Sequence, residues 1–358
     1  MHSSLANVRL AGLAVSTGSV VRDYLAEGLA HGLDRAVLER TAQTVGLRER
    51  RVAAPGVTAL DLCEDAARRL FAAAGLDASS VDAVIFVTQT PDHPQPNNAS
   101  FLQARLGLAK GVAAFDLSLG CSGWVYGLHQ AALLCAHGGA GRVLLCAGDT
   151  LSRLTHPQDR STDPLFGDAG SAALIERTGG AAPWHFELGA DGSGAGAIIV
   201  PQGGARAPAG SRPLTVVPDF DGNGRHAENL AMQGGEVFNF TLREVPAAVA
   251  SVLRHAGYAA ATTDGLVLHQ ANRFVVSAVG RKCGFPPEKT PDGIAERFGN
   301  QSSASIPCAL TEAYGERLAV GPLRLALCGF GVGWSWGAVA GEFGPLVVAP
   351  VQPFPRQA

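Results

Sequence analysis

Apolar positions in this chain fall into short dense runs separated by stretches of helical spacing, and that succession occurs twice. Runs at residues 82–88, 113–117 and 142–148 predict buried strands. After the first, a proline-rich loop at 91–96 leads to a helix near 100–106. After the second, Val125, Leu128, Ala132 and Cys135 mark one face of another helix, which Gly138 and Gly139 stop. A glycine-rich return over 167–176 closes the unit. The second pass predicts a strand at 265–268, a helix at 272–282, a glycine turn into a helix over 299–310, a strand at 323–328 and a return over 333–342.

Strands alternating with helices predict an α/β fold with parallel sheets covered by helices. The doubled order predicts two βαβ-type halves, each with a sheet face to cover. The helices that follow the two glycine turns are expected to share a middle layer. Their composition suits burial: residues 121–138 carry only Tyr126, His129 and His137 as ionisable groups besides cysteines. The expected division is 1–200 for the first half, 201–218 for a Gly/Pro/Ala-rich surface excursion and 219–358 for the second half. Residues 236–254 predict a helix that Pro246 should kink or split.

Composition then narrows the classes. Charged residues are 16% of the chain and apolar residues 47%, so much of the surface is apolar or hidden. That favours a compact enzyme with an oligomer interface over a disordered chain. The net charge of −3 and the lack of basic runs argue against a nucleic-acid partner. No uninterrupted apolar run of about 18 residues predicts a membrane span. Residues 1–14 lack the pattern of a secretory signal. The seven scattered cysteines show no CxxC pairs and no Cys/His ligand spacing. They read as reduced thiols of a cytoplasmic protein, with no metal site.

Cys121 stands apart from the others. It lies in Phe-Asp-Leu-Ser-Leu-Gly-Cys-Ser-Gly-Trp, residues 115–124, after a strand and at the opening of a helix. Gly120 before it is expected to take the unusual backbone angles of a sharp turn. A thiol in that place meets the positive end of the helix dipole and free N–H groups. The setting is expected to lower its pKa from about 8.5 and to hold an oxyanion. Cys63, Cys135, Cys146, Cys283, Cys308 and Cys328 sit in apolar surroundings and read as packing. An acyl-transferring thiol needs partners. The second half offers His269, in Leu-His-Gln-Ala-Asn, and Asn300, in Gly-Asn-Gln-Ser-Ser-Ala-Ser, both placed where α/β sheets build their sites.

With these residues in place, the chain resembles the β-ketoacyl synthase III condensing enzymes of the thiolase superfamily, over residues 8–343. The similar motifs are Gly-Cys-Ser-Gly from Gly120, His-Gln-Ala-Asn from His269 and Gly-Asn-Gln-Ser-Ser-Ala-Ser from Gly299. Supporting ones are Gly-Leu-Arg-Glu-Arg from Gly46, Phe-Gly-Asp-Ala-Gly-Ser-Ala from Phe166, Gly-Gly-Glu-Val-Phe from Gly234, and the glycine-rich turn from Gly329. The resemblance implies a thiolase-like fold, two duplicated halves layered αβαβα, with a Cys121–His269–Asn300 triad. It implies an oxyanion hole from the N–H groups of Cys121 and Val332. Substrate contacts would come from Trp124 (core packing being its nearer role), Met232, Gly234, Asn272 and Phe330. Arg281 and Lys282, with Arg273 shifted by one position, would dock a carrier protein. A homodimer is implied, with the loop 88–98 reaching the partner's acyl pocket. No cofactor is implied: substrates arrive as pantetheine thioesters on coenzyme A or acyl carrier protein.

The implied reaction loads an acyl group on Cys121 and condenses it with a malonyl-type thioester, releasing carbon dioxide. A neutral Asn300, in place of a carboxylate or a second thiol, suits an enolate. Departures bear on the substrate. Glu39 and Gln43 stand where relatives that use acyl-CoA carry a Trp and an Arg for the adenine. This speaks against coenzyme A recognition, opens acyl carrier protein or another carrier as donor, and favours a specialised metabolite (polyketide-type) pathway over fatty-acid initiation. Val332 replaces a Gly, and the loop 88–98 lacks an aromatic near Gln95. Two alternatives stand beside this reading. One is acyl transfer from Cys121 to an alcohol or amine without decarboxylation. The other is a non-catalytic subunit of a condensing heterodimer, against which the retained triad speaks.

Overall fold

A computed structural model describes residues 1–355. The elements that build the core are, in chain order, β1 (His2–Leu5), β2 (Val8–Thr17), α1 (Ala59–Ala74), β3 (Ala83–Val87), β4 (Ala113–Leu117), α2 (Gly123–Ala136), β5 (Arg142–Asp149), β6 (Ala169–Arg177), β7 (Trp184–Ala190), α3 (Gly234–Ala256), β8 (Gly265–Leu268), α4 (Arg273–Lys282), α5 (Ser305–Val320), β9 (Leu323–Gly331), β10 (Ser335–Phe343), β11 (Val347–Val348) and β12 (Gln352–Pro353).

A seven-stranded sheet runs β11-β2-β6-β5-β3-β4, with β12 also beside β2, and a five-stranded sheet runs β1-β7-β10-β9-β8. In the first sheet β3 is parallel to β5, and β5, β6 and β2 then pair antiparallel. In the second, β8 is parallel to β9, and β9, β10 and β7 pair antiparallel. The two units therefore share one topology. In the second sheet β7 holds the place that β2 holds in the first. Residues 201–218 follow β7, and nearly all of them are exposed. The sheets also exchange strands, since β1 joins the second while β11 and β12 join the first.

Side chains alternate across a strand, and here both faces are buried. Along β5, Val143, Leu145 and Ala147 face one cluster while Leu144 and Cys146 face another. The first cluster takes Val125, Leu128 and Ala132 from α2, Ile306, Leu310 and Leu318 from α5, and strand residues of both sheets. It is the middle helical layer between the sheets. The outer face of the first sheet carries α1 and the short helix Asn98–Arg105, and that of the second carries α3 and α4. The order of layers is αβαβα, a thiolase-like arrangement.

Pro246 does not split α3, which is continuous from Gly234 to Ala256. Proline removes the N–H that would bond the carbonyl four residues back. That carbonyl, on Leu242, accepts from Lys282 Nζ at 2.8 Å instead. No helix among the described residues is long and apolar enough to cross a membrane.

Candidate active site

The chain leaves β4, turns at Gly120, and presents Cys121 just before α2 begins at Gly123. Gly120 is required for a reason other than the expected one. Its φ is not positive, but a Cβ there would lie 2.2 Å from Gln89 Oε1. Gly331, at the end of β9, is equally confined: a Cβ would lie 3.0 Å from Cys121 Sγ.

His269 follows β8, and its N–H donates to the Cys328 carbonyl at 2.8 Å, one step past the ladder between β8 and β9. Its Nδ1 is 2.7 Å from Ser305 Oγ at the start of α5. The ring stands edge-on to Phe330 with centroids 5.5 Å apart. Asn300 is held by its backbone. Its N–H donates to Leu165 O at 2.8 Å, and its carbonyl accepts from Gly167 N–H at 3.1 Å. The Ser302 N–H donates to Asn300 Oδ1 at 3.0 Å. With the oxygen occupied, the NH2 group is what the side chain can offer a substrate.

Cys121, His269 and Asn300 line one cavity of about 130 Å³, together with Gly331, Val332, Met232, Gly234, Asn272 and Phe330. Its other walls are mainly apolar, among them Leu151, Phe166, Ile198, Leu230 and Phe238. Such a lining suits an uncharged, largely apolar ligand. Asn272 also caps α4, accepting from Val275 N–H at 2.9 Å. The remaining expected residues lie elsewhere. Trp124 is fully buried in the middle layer and does not reach the cavity. Arg273 is engaged by Glu296 at 2.6 Å and by the Gln43 carbonyl. Lys282 is held by Leu242, and Arg281 is exposed. A larger groove of about 500 Å³, lined by Tyr24, Glu27, Asp34, Arg160 and Asp221 among others, contains none of the expected residues.

The electrostatics reverse one expectation. Burial pushes the Cys121 thiol up to about 12, and the Asp149 charge adds to the rise. The backbone N–H groups of Cys121 and Val332 pull the other way without prevailing. Burial also pushes His269 down to about 3, so the ring is neutral and no imidazolium stands by the sulfur to offset desolvation. Full burial thus outweighs the N–H groups that face the sulfur. The resting pair is a neutral thiol and a neutral imidazole.

Sequence reasoning missed Ser302, Ser305, Gln89 and Asp149. The serines lie inside the Asn300 motif, where their density was the available signal. Gln89 and Asp149 carry no pattern that marks them, because their partners are distant in sequence.

Known proteins resemble this chain throughout. Residues 115–192 match the family described as 3-oxoacyl-[acyl-carrier-protein (ACP)] synthase III, and residues 253–343 match its C-terminal part. The chain is 38% identical over 340 residues to a β-ketoacyl-[acyl-carrier-protein] synthase III of Symbiobacterium thermophilum, covering 94% of this chain and 98% of that protein. A solved 3-oxoacyl-(acyl-carrier protein) synthase from Burkholderia xenovorans LB400 superposes with a TM-score of 0.92 at 38% identity, covering 99% of each chain. The priming β-ketosynthase from the R1128 polyketide pathway superposes with a TM-score of 0.78 at 25% identity, covering 95% of this chain and 97% of that one.

Proposed function

The chain belongs to the 3-oxoacyl-[acyl-carrier-protein] synthase III family, and we propose that it performs decarboxylating condensation through Cys121, His269 and Asn300. Cys121 Sγ attacks the carbonyl of an acyl thioester. Its proton passes to the departing carrier sulfur, and an acyl-Cys121 thioester remains. The N–H groups of Cys121 and Val332 hold the oxyanion, and the N-terminus of α2 favours charge as it develops on the sulfur.

A malonyl-type thioester then enters. Its carboxylate leaves as carbon dioxide, and the enolate oxygen accepts from His269 Nε2 and Asn300 Nδ2. Ser305 Oγ accepts the Gln270 N–H at 3.4 Å and so turns its own proton toward His269 Nδ1. This leaves the ring proton on Nε2 as a donor. Neutral donors stabilise an enolate without quenching it, as an imidazolium would by protonation. The carbanion forms a C–C bond to the acyl carbon, the C–S bond to Cys121 breaks, and the sulfur takes a proton from solvent.

Acyl carrier protein is the proposed carrier and a priming step in a specialised pathway the proposed setting, supported by Glu39 and Gln43 and by the similarity to a priming ketosynthase. A homodimer is supported by β4, an edge strand with half-buried Phe115 and Leu117. Seven free cysteines favour a reducing compartment, the cytoplasm. The observation that carries the reading is the convergence of thiol, imidazole and carboxamide on one channel.

The test offers acyl-CoA and acyl-carrier thioesters, weighs the intact protein, and follows labelled carbon dioxide from a malonyl thioester. Acyl mass on Cys121 and labelled gas are expected, both lost in Cys121→Ala. Condensation untouched by Cys121→Ala would overturn the mechanism. Loading with no gas released would favour transfer to an alcohol or amine.

A further inference from the structure

Asp149 ends β5, fully buried, and the chemistry above does not use it. Its Oδ1 accepts from the Gln89 N–H at 2.7 Å, the Thr88 hydroxyl at 3.1 Å and the Thr90 hydroxyl at 3.3 Å. Its Oδ2 accepts from the Ser303 hydroxyl at 2.7 Å and the Ser303 N–H at 3.3 Å. The threonine protons are directed by their neighbours. Thr88 Oγ1 already accepts the Thr90 N–H at 3.0 Å, and Thr90 Oγ1 accepts the Thr150 N–H at 2.9 Å. Each hydroxyl proton is thereby free for Asp149. A carboxylate takes donors on both oxygens; a carboxamide cannot, because one end is itself a donor.

The partners lie on the two sides of the site. Gln89 lines the cavity, and its Oε1 fills the space over Gly120, next to Cys121. Ser303 belongs to the Asn300 turn, in which the Ser302 N–H holds Asn300 Oδ1 and the Ser302 hydroxyl lies 3.9 Å from Cys121 Sγ. We propose that Asp149 is a positioning residue, a single buried carboxylate that fixes the asparagine turn of one half against the cysteine's surroundings in the other. This rests on the condensing role assigned above. The same charge acts on the sulfur, adding to the burial that holds it in the thiol form. Removing it therefore has two consequences of opposite sign: a more reactive thiol and a less well-placed carboxamide.

The test uses Asp149→Asn and Ser303→Ala, singly and combined. Asp149→Asn is expected to lower carbon dioxide release and condensation by about 10- to 100-fold while acyl loading of Cys121 stays within about threefold. The pH profile of Cys121 alkylation by iodoacetamide should move to lower pH. Of the ionisable groups around the sulfur, Asp149 at the end of β5 and His269 after β8, only the first is altered. Ser303→Ala should produce a smaller fall in condensation, and the double variant should lose less than the product of the single losses. Loading and condensation falling by one common factor, an unmoved alkylation profile, or independent losses would each overturn the proposal. If Asp149→Asn does not fold, Ser303→Ala alone decides, by whether condensation falls more than loading. A wild-type protein that loads no acyl group sinks the condensing role instead, and the alkylation profile then decides the role of Asp149.

Discussion

Two turns lead into the middle layer, one before α2 and one before α5, and the duplicated topology sets them in corresponding places. Both rely on close backbone approach, and they differ in the side-chain hydrogen bonds around the functional group. The turn carrying Cys121 is held by close approach: Gly120 lies under Gln89, and Gly331 lies against the sulfur. The turn carrying Asn300 has a close approach of its own, Gly299 against Gly167, and adds hydrogen bonds from Ser302 to Asn300, from Gly167 to the Asn300 carbonyl, and from Ser303 to Asp149. The contrast follows the chemistry. A nucleophile must be crowded against its oxyanion donors, whereas a carboxamide must be oriented so that its NH2 end faces the substrate. Duplication supplies the two positions; the local side chains decide what each can do.

The largest test of this contrast changes charge without changing shape. Asn300→Asp keeps an oxygen for the Ser302 N–H but replaces the NH2 donor by a second oxygen facing the enolate. Condensation should fall by about 1,000-fold, while acyl loading, measured by intact mass, stays within about threefold. Next comes Gly331→Ala, whose Cβ would press on the sulfur at 3.0 Å. Loading and condensation should here fall together, by about 100-fold, with a lower Tm because the new Cβ would also lie 2.9 Å from Cys121 Cβ. If Asn300→Asp abolished loading, or Gly331→Ala spared it, the division of labour between the turns would be wrong.

A third test concerns protons. With the thiol at about 12, alkylation of Cys121 should rise about tenfold per pH unit through pH 7–9 with no plateau. A plateau below pH 8 would mean that the α2 dipole prevails over burial. His269 lies at about 3 in the fold against 6.5 when free, so the unfolded chain takes up its proton first. Its contribution to stability is present above pH 6.5 and is lost as pH falls toward 3. Urea midpoints should therefore drop less steeply with acid in His269→Gln than in the wild type.

The fold was legible where apolar runs are dense. β8 begins and ends where the pattern placed it, and the paired strands β5 and β9 with their returns mark the duplication. Composition marks the exposed stretch at 201–218, whereas the pairing of β7 with β10, which repeats that of β2 with β6, follows no local pattern. The site was legible through residues whose chemistry is rare in the chain, a thiol at a turn and a histidine after a strand. Its charge state was not, because a turn opening a helix can be read from sequence while the burial that raises the thiol depends on packing from both sheets. Asp149 escaped for a related reason: its partners at 88–90 and 303 lie about 60 and about 150 residues away.

The smallest expected effect lies at the edge of the hydrogen-bonded half, in Lys282. The resemblance placed this residue at a carrier dock, but its Nζ donates to the Leu242 carbonyl, which Pro246 leaves without its helical partner. If the contact is structural, Lys282→Met should lower stability by about 0.5–1 kcal/mol, as for one exposed hydrogen bond. Pro246→Ala restores an N–H four residues beyond Leu242, so the loss should vanish in that background. A cycle of the four proteins in urea measures the coupling. Additive losses would release Lys282 from this role. Carrier affinity that falls in Lys282→Met with stability unchanged would return the residue to the docking surface beside Arg281.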